Sequence, residues 1–322
     1  MDANMLKAKF KISQTISFDQ GYAIRGIAMI MIIFVHSINE YECYNSIISK
    51  HLLVPFFGVL GCCLFFFMSG YSTLCSLCKN RKMLTSFNFI LKILKKILTP
   101  VAIVYIINSI ILPHTLKYND ITINHLNLLT LSLPEGTDIW FIKIILFDYI
   151  STFLLFKITV NLKRLFIYIA ITQMLLILIL YICGIGSYCY VSNLCFVLGA
   201  FYLFFQLSKR KYFIISAFLF IVFYLCIIND IMAAPIQILG GLAFCILIIS
   251  VISKKTRYPQ WLIFIGKNSL LYYLLNIPIM WLIPSNNIHF IVYFIANIIF
   301  TTIFIFAYNE IGKLITRNIT NK

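Results

Sequence analysis

The stretch FDQGYAIRGIAMIMIIFVHS, residues 18–37, places one arginine and one histidine inside a long apolar run. A run of this length can cross a lipid bilayer as an α-helix, which takes about 20 residues. Arg25 and His36 are eleven residues apart. They return to within roughly 20° of one helical face and are separated by about 16 Å along the axis. Because ionisable groups at membrane depth are costly, the pair predicts a functional site that faces protein or a wet cavity.

The composition places this run in a membrane protein. The chain of 322 residues is 61% hydrophobic, 16% aromatic and 11% charged, whereas roughly a quarter of the residues in soluble domains carry charge. Apolar runs of about 17 to 25 residues recur along the whole chain, and each is long enough to span a bilayer. The sequence therefore predicts an all-α, polytopic membrane protein, organised as a single domain over residues 1–322 and surrounded by membrane lipids.

The net charge of +16 indicates orientation in the membrane. Lysine and arginine cluster in alternate connections between the apolar runs, which is the positive-inside pattern. A nucleic-acid partner is not needed to explain the charge, and none is predicted. The pattern predicts about ten transmembrane helices with both termini cytoplasmic, at residues 22–40, 52–74, 97–113, 139–157, 165–184, 191–207, 212–229, 235–252, 261–283 and 289–311.

Two general features complete the expectation. Richness in isoleucine, lysine, asparagine and phenylalanine is typical of an AT-rich genome, so we expect a multi-pass protein of a bacterial cytoplasmic membrane. Pro278 is the expected position of a bend in the ninth helix. The cysteines lack metal-ligand spacing, and no metal is predicted.

Two interpretations of the first helix stay open. In one, Arg25 and His36 share a functional face, and Glu40, four residues after the histidine, orients or partly protonates the imidazole. In the other, Arg25 extends to the lipid headgroups and His36 donates an ordinary interhelical hydrogen bond. We favour the functional interpretation because both residues lie on one face.

Two segments at the predicted cytoplasmic ends carry candidate binding residues. Ser69 and Gly70 interrupt the aromatic block FFFMSGY, where small residues allow another helix to approach closely, so packing alone could account for them. Lys95 and Lys96 belong to the basic stretch FILKILKKILTP, residues 89–100. That stretch predicts binding to lipid headgroups or to the phosphates of an anionic substrate.

The remaining candidates lie toward the predicted outer side. Glu135 precedes the fourth helix, where its carboxylate could hold sugar hydroxyls or simply be solvated. Trp140 opens that helix, and its indole fits an interfacial aromatic belt. Tyr273 and Asn276 continue a polar stripe that begins at Ser269 on the ninth helix. Each stripe residue is explained either by an interhelical hydrogen bond or by a shared cavity lining.

Taken together, these segments resemble the acyltransferase-3 superfamily, integral-membrane enzymes that transfer acyl groups to surface glycans and other acceptors. The first matching motif is Arg25-Gly-Ile-Ala, followed by His36 after ten intervening residues. The others are FFFMSGY, the pair Trp140-Phe141, and GKNSLLYYLLN at residues 266–276. All four occur in the order of the family and cover nearly the whole chain.

The resemblance implies a membrane O-acyltransferase that uses acetyl-CoA and acylates a hydroxyl of a cell-surface glycan or lipid-linked sugar. Arg25 would bind donor phosphate or stabilise charge at the thioester. His36 would act as general base on the hydroxyl in a direct transfer, or would carry the acyl group in a covalent acyl-histidine intermediate. These two are the predicted catalytic residues. The predicted substrate or donor contacts are Ser69, Lys95, Lys96, Glu135, Trp140, Tyr273 and Asn276.

Two positions depart from the family pattern. Asn276 stands where the family usually has histidine, so no catalytic base is assigned there. The family's basic cluster is usually arginine-rich, whereas here it contains Lys95 and Lys96. Lysine can hold phosphate as a point charge but cannot reproduce the bidentate geometry of arginine.

A competing hypothesis is a polytopic transporter or lipid-linked-sugar flippase without acyl transfer, which ten helices with few buried charges would suit equally well. Transporters often contain paired interrupted helices in matching halves, and the sequence shows no such pair. A third hypothesis is an inactive relative that serves in assembly or sensing. The presence of both Arg25 and His36 counts against it.

Overall fold

A computed structural model describes residues 16–41, 53–79, 88–111, 140–159, 161–202, 210–229, 231, 233–284 and 288–320. This part of the chain is all α-helical, as predicted, and contains no strand. A π-helical turn at Val54–Gly58 precedes the second helix, and a 3₁₀ turn at Ser187–Cys189 follows the fifth. The helices are α1 Phe18–Glu40, α2 Val59–Lys79, α3 Asn88–Ile111, α4 Trp140–Ile158, α5 Leu162–Ile182, α6 Asn193–Tyr202, α7 Arg210–Ile228, α8 Ala234–Ile252, α9 Gln260–Lys267, α10 Ser269–Leu282 and α11 Phe290–Thr320.

A capping box fixes the start of α1. The Ser17 hydroxyl accepts a hydrogen bond from the Gln20 backbone N–H at 3.2 Å, and the Gln20 side chain accepts one from the Ser17 N–H at 2.9 Å. Two backbone donors that helix geometry leaves free are thereby satisfied. The Gln20 amide also donates to the Lys255 carbonyl at 3.5 Å. The first turn of α1 therefore lies beside the basic segment 254–257, and we call this the basic end of the bundle.

Six described helices are long and apolar enough to cross a membrane: α1, the region 56–78, most of α5, α7, α8 and the region 290–314 of α11. A seventh span is obtained when α9 and α10 are counted together. The predicted number of ten spans and the predicted cytoplasmic position of both termini stay predictions. Burial separates the spans, since 67% and 78% of the apolar stretches of α1 and α2 are covered by protein, against 17% for α7. The first two helices therefore form the centre of the bundle.

Glycines bring these central helices into backbone contact. A Cβ atom on Gly266 of α9 would lie 1.8 Å from the Tyr22 carbonyl oxygen of α1, and one on Gly26 would lie 2.4 Å from the Leu262 carbonyl oxygen. No side chain fits at such a separation, so these glycines allow α1 and α9 to cross closely.

A second close crossing joins α2 and α6. A Cβ atom on Gly70 would lie 2.0 Å from the Phe196 carbonyl oxygen, and one on Gly199 would lie 1.9 Å from the Phe67 carbonyl oxygen. The expectation that Gly70 admits a neighbouring helix is confirmed.

The predicted ninth helix, 261–283, is not continuous. It divides into α9 and α10, which meet at an angle of 85°. The break lies at Asn268, ten residues before Pro278, which sits inside α10. The Asn268 side chain stabilises the break, because its amide donates to the Phe264 carbonyl at 2.9 Å and its oxygen accepts from Asn309 of α11 at 3.2 Å.

Candidate active site

The imidazole of His36 is held by α10. Its Nδ1 atom lies 2.7 Å from Oδ1 of Asn276, whose side chain is fully buried. The Asn276 Nδ2 group donates to the backbone carbonyls of Tyr272 and Tyr273 at 2.8 and 2.7 Å. His36 as a residue is partly exposed.

This arrangement defines the protonation pattern of the neutral imidazole. The two carbonyl groups can only accept hydrogen bonds, so the Asn276 NH₂ group must face them and its oxygen must face His36. That oxygen can only accept, so Nδ1 of His36 carries the hydrogen. Nε2 is consequently left with its lone pair, which is the form that a general base requires.

Glu40 occupies a different place from the one predicted. The Trp281 indole donates to its carboxylate at 3.0 Å. His36 Nδ1 donates to Asn276 Oδ1, and the Glu40 carboxylate acts on His36 through its charge. Glu40 therefore ties the last turn of α1 to α10.

Arg25 reaches the neighbouring helix α2. Its Nη2 atom donates to the Ser72 hydroxyl at 3.4 Å, and that hydroxyl donates to the Ser69 carbonyl at 3.2 Å. The Ser69 hydroxyl is within hydrogen-bonding reach of the Tyr149 phenol of α4, which also lies in the field of Arg25. The guanidinium therefore belongs to a polar cluster between three helices.

Sequence reasoning did not identify two members of this cluster. Ser72 lies one helical turn after Ser69, so its position on the same face was a usable signal. Tyr149 carries no comparable signal, because aromatic residues are common in apolar helices and only the packing of α4 against α2 brings it to Ser69.

Basic side chains surround the Arg25 end of this cluster. Lys96 lies close enough to Arg25 and Lys92 for their charges to act on it. Lys95 and Lys96 are both exposed. Arg25, Lys92 and Lys96 place their positive charges close together at the start of α3, and we call this group the positive surface.

Aromatic rings surround the His36 end. The Tyr273 ring centroid lies 6.5 Å from that of His36 and 5.3 Å from that of Phe141. Trp140 is next to Phe141, at 5.9 Å. The structure thus brings Tyr273 and Asn276 to His36, with Trp140 connected to them through Phe141. It brings Lys96 to Arg25, and Ser69 is connected to Arg25 through Ser72. Glu135 lies outside the described residues.

Both predicted catalytic side chains contact protein groups, Ser72 for Arg25 and Asn276 for His36. A family model of an acyltransferase domain, acyltransferase-3, matches residues 22–310. The chain belongs to the acyltransferase-3 family. All described residues of the candidate site fall within the match, and this acyltransferase-3 protein is a multi-pass membrane acyltransferase. Neither a curated protein nor a solved structure matches the chain.

Proposed function

We propose that this acyltransferase-3 protein transfers an acetyl group from acetyl-CoA to a hydroxyl of a cell-surface glycan or lipid-linked sugar, in a bacterial cytoplasmic membrane. The observation that carries the proposal is the imidazole of His36, which Asn276 holds at 2.7 Å with Nε2 able to accept a proton. A hydroxyl is a weak nucleophile until a neighbouring base removes its proton.

The reaction needs one proton transfer and one exchange of bonds. His36 Nε2 takes the proton of the acceptor hydroxyl while the oxygen attacks the thioester carbonyl. A carbon–oxygen bond forms, the carbon–sulfur bond breaks, and coenzyme A leaves as the thiolate. The thiolate takes up a proton, and the imidazole returns to its neutral form when it releases its own. General base catalysis of this kind contributes typically about 10²- to 10⁴-fold.

The positive surface at the start of α3 supports binding of the donor's phosphates. Arg25 and Lys96 lie close together there, with Lys95 exposed beside them. His36 lies about 16 Å farther along α1. Acetyl-CoA carries its phosphates and its thioester at opposite ends of an extended arm. The separation between the positive surface and His36 therefore suits a donor of this shape.

The test uses the purified full-length protein in lipid vesicles with acetyl-CoA and a surface polysaccharide freed of its ester groups by mild alkali. We expect release of free thiol and acetylation of the polysaccharide. His36→Ala and Arg25→Ala should lower both, and the matched controls His289→Ala and Arg257→Ala, at exposed positions, should leave both unchanged.

Two outcomes would overturn the proposal. Full acetylation by the folded His36→Ala or Arg25→Ala protein would remove the assigned catalytic pair. A wild-type protein that moves lipid-linked sugar across the vesicle membrane without releasing thiol would instead establish the transporter alternative.

A further inference from the structure

Aromatic rings form a continuous path from His36 to the surface of the protein. The rings of Tyr273, Phe141 and Trp140 follow one another at the separations given above, and the Trp140 ring contacts that of Tyr188 at 5.8 Å. Tyr188 is 53% exposed. The path therefore begins at the proposed base and ends at an accessible ring.

The exposed end of the path lies far from the basic residues that start α5. Lys163 and Arg164 occupy the first turn of this 21-residue helix, and Tyr188 lies in the 3₁₀ turn just after its end. A helix of that length is about 30 Å long, which is the thickness of a bilayer core. Trp140 opens α4 at the same end. Phe153, in the C-terminal half of α4, stacks on Phe89 at the start of α3 at 5.0 Å, so the donor phosphates and the Trp140–Tyr188 pair are assigned to opposite ends of α4.

The turn that carries Tyr188 is built to place its ring. A Cβ atom on Gly186 would lie 2.4 Å from Cε1 of Tyr188, so the ring packs directly against the backbone of the glycine. The following residues, Cys189 and Tyr190, are each 5% exposed and anchor the turn in the core. The ring meets that of Trp140 edge-on, with 74° between the two planes.

We infer that the Trp140–Tyr188 pair is the subsite that binds a sugar ring of the acceptor. This inference rests on the proposed function. A pyranose has an apolar face of C–H groups and a rim of hydroxyls, and tyrosine and tryptophan match it with an apolar ring and a polar tip. Sites for small polar ligands combine aromatic walls with a few polar groups in this manner. The rest of an acceptor chain bound there would extend along the aromatic path toward His36.

An interfacial belt is the alternative role for these rings, and a matched control separates the two. Tyr181, in the last turn of α5, is 67% exposed and is a tyrosine at the same end of the same helix. A belt role predicts similar effects of Tyr181→Ala and Tyr188→Ala. A sugar subsite predicts an effect of Tyr188→Ala alone.

The experiment measures acetyl transfer in vesicles against the concentration of de-esterified surface polysaccharide from the strain that carries the gene, at saturating acetyl-CoA. We expect Tyr188→Ala to raise the half-saturating polysaccharide concentration about three- to tenfold, the size of one lost aromatic contact. The acetyl-CoA concentration for half-maximal rate should not change. Tyr188→Phe, which keeps the ring but loses the hydroxyl, should show a smaller rise than Tyr188→Ala. Tyr181→Ala should behave as wild type.

The other possible results overturn either the sugar subsite or the proposed function. Wild-type dependence on polysaccharide in Tyr188→Ala, or an equal rise in Tyr181→Ala, overturns the subsite while the proposed function stands. A rise in the acetyl-CoA requirement of Tyr188→Ala also overturns it, because the subsite is assigned to the acceptor. A wild-type protein that releases no thiol from acetyl-CoA overturns the proposed function, and the inference falls with it.

Discussion

Replacement of Asn276 by leucine tests how the imidazole is held. The change keeps a side chain of similar size but removes the oxygen that accepts from His36 Nδ1 at 2.7 Å. It also removes the NH₂ group that fixes the orientation of that oxygen. The imidazole then loses its preferred tautomer and rotates more freely. A smaller fraction of the protein molecules therefore presents an unprotonated Nε2 to the acceptor.

The expected size follows from the hydrogen bond that is lost. A buried donor left without a partner costs about 1–3 kcal/mol. If this cost appears in the transition state, kcat falls about 5- to 150-fold, since each 1.36 kcal/mol is a factor of ten. The KM for acetyl-CoA should hardly change, because the donor phosphates are assigned to Arg25 and Lys96, at the other end of α1.

The assay combines kcat with nitrogen NMR of protein labelled at histidine. In wild type the signal of His36 Nδ1 should be that of a protonated nitrogen, and in Asn276→Leu the two tautomers should mix. The matched control is Asn297→Leu, another fully buried asparagine, which accepts from Thr301 at 3.1 Å. It should change stability but neither kcat nor the His36 signal. Full activity of Asn276→Leu, or an unprotonated Nδ1 in wild type, would show that Asn276 does not set the protonation pattern of His36.

Three further predictions concern packing and charge. Gly266→Ala should lower the melting temperature in detergent, since overpacking typically costs about 1–3 kcal/mol. Gly312→Ala should not lower it, because the new methyl group has open space around it. Equal melting temperatures of the two variants would contradict this. Lys96→Gln should raise the KM for acetyl-CoA about three- to tenfold through loss of a phosphate contact, and a parallel rise for S-acetyl-N-acetylcysteamine, which lacks the phosphates, would argue against it. Gln173→Leu should lower the free energy of unfolding by about 1–3 kcal/mol, because it removes the donor to the buried Asp148 carboxyl at 2.7 Å. The double change Asp148→Leu and Gln173→Leu should recover part of that loss, and a larger loss in the double variant would disprove the account.

The sequence allowed the helical class and the two ends of the site to be predicted. Apolar runs fix helices through local requirements, so α1, α2, α7 and α8 fall close to their expected positions. Spacing along one helix placed Arg25 and His36 at different depths, and the structure gives each a separate set of partners. Both results depend on short stretches of chain.

Partners from distant helices could not be predicted in the same way. Glu40 was the natural partner of His36 because it lies one turn away, whereas Asn276 is separated from it by 240 residues. Tyr149 reaches Ser69 only through the packing of α4 on α2. Helical spacing identifies neighbours within one helix, and tertiary contacts between apolar helices leave little trace in composition.

The break at Asn268 explains how a late segment reaches the imidazole. Along α9, Leu262 lies against Gly26 and Gly266 lies against Tyr22. As the chain advances through α9, it therefore moves toward earlier residues of α1. A straight continuation would carry the following residues away from the imidazole and toward the basic end.

In α10 the chain runs in the opposite direction along α1. Asn276 reaches His36, and Trp281 reaches Glu40, so the chain now moves toward later residues of α1. The 85° turn at Asn268 makes this possible, and without it Asn276 would lie about 15 Å beyond the α9 crossing on the wrong side. The prediction of one continuous ninth span missed the reversal, because a polar stripe at helical spacing looks the same whether or not the helix is broken upstream of it. The fourth motif therefore sets the direction of the chain as well as supplying the amide that holds the base.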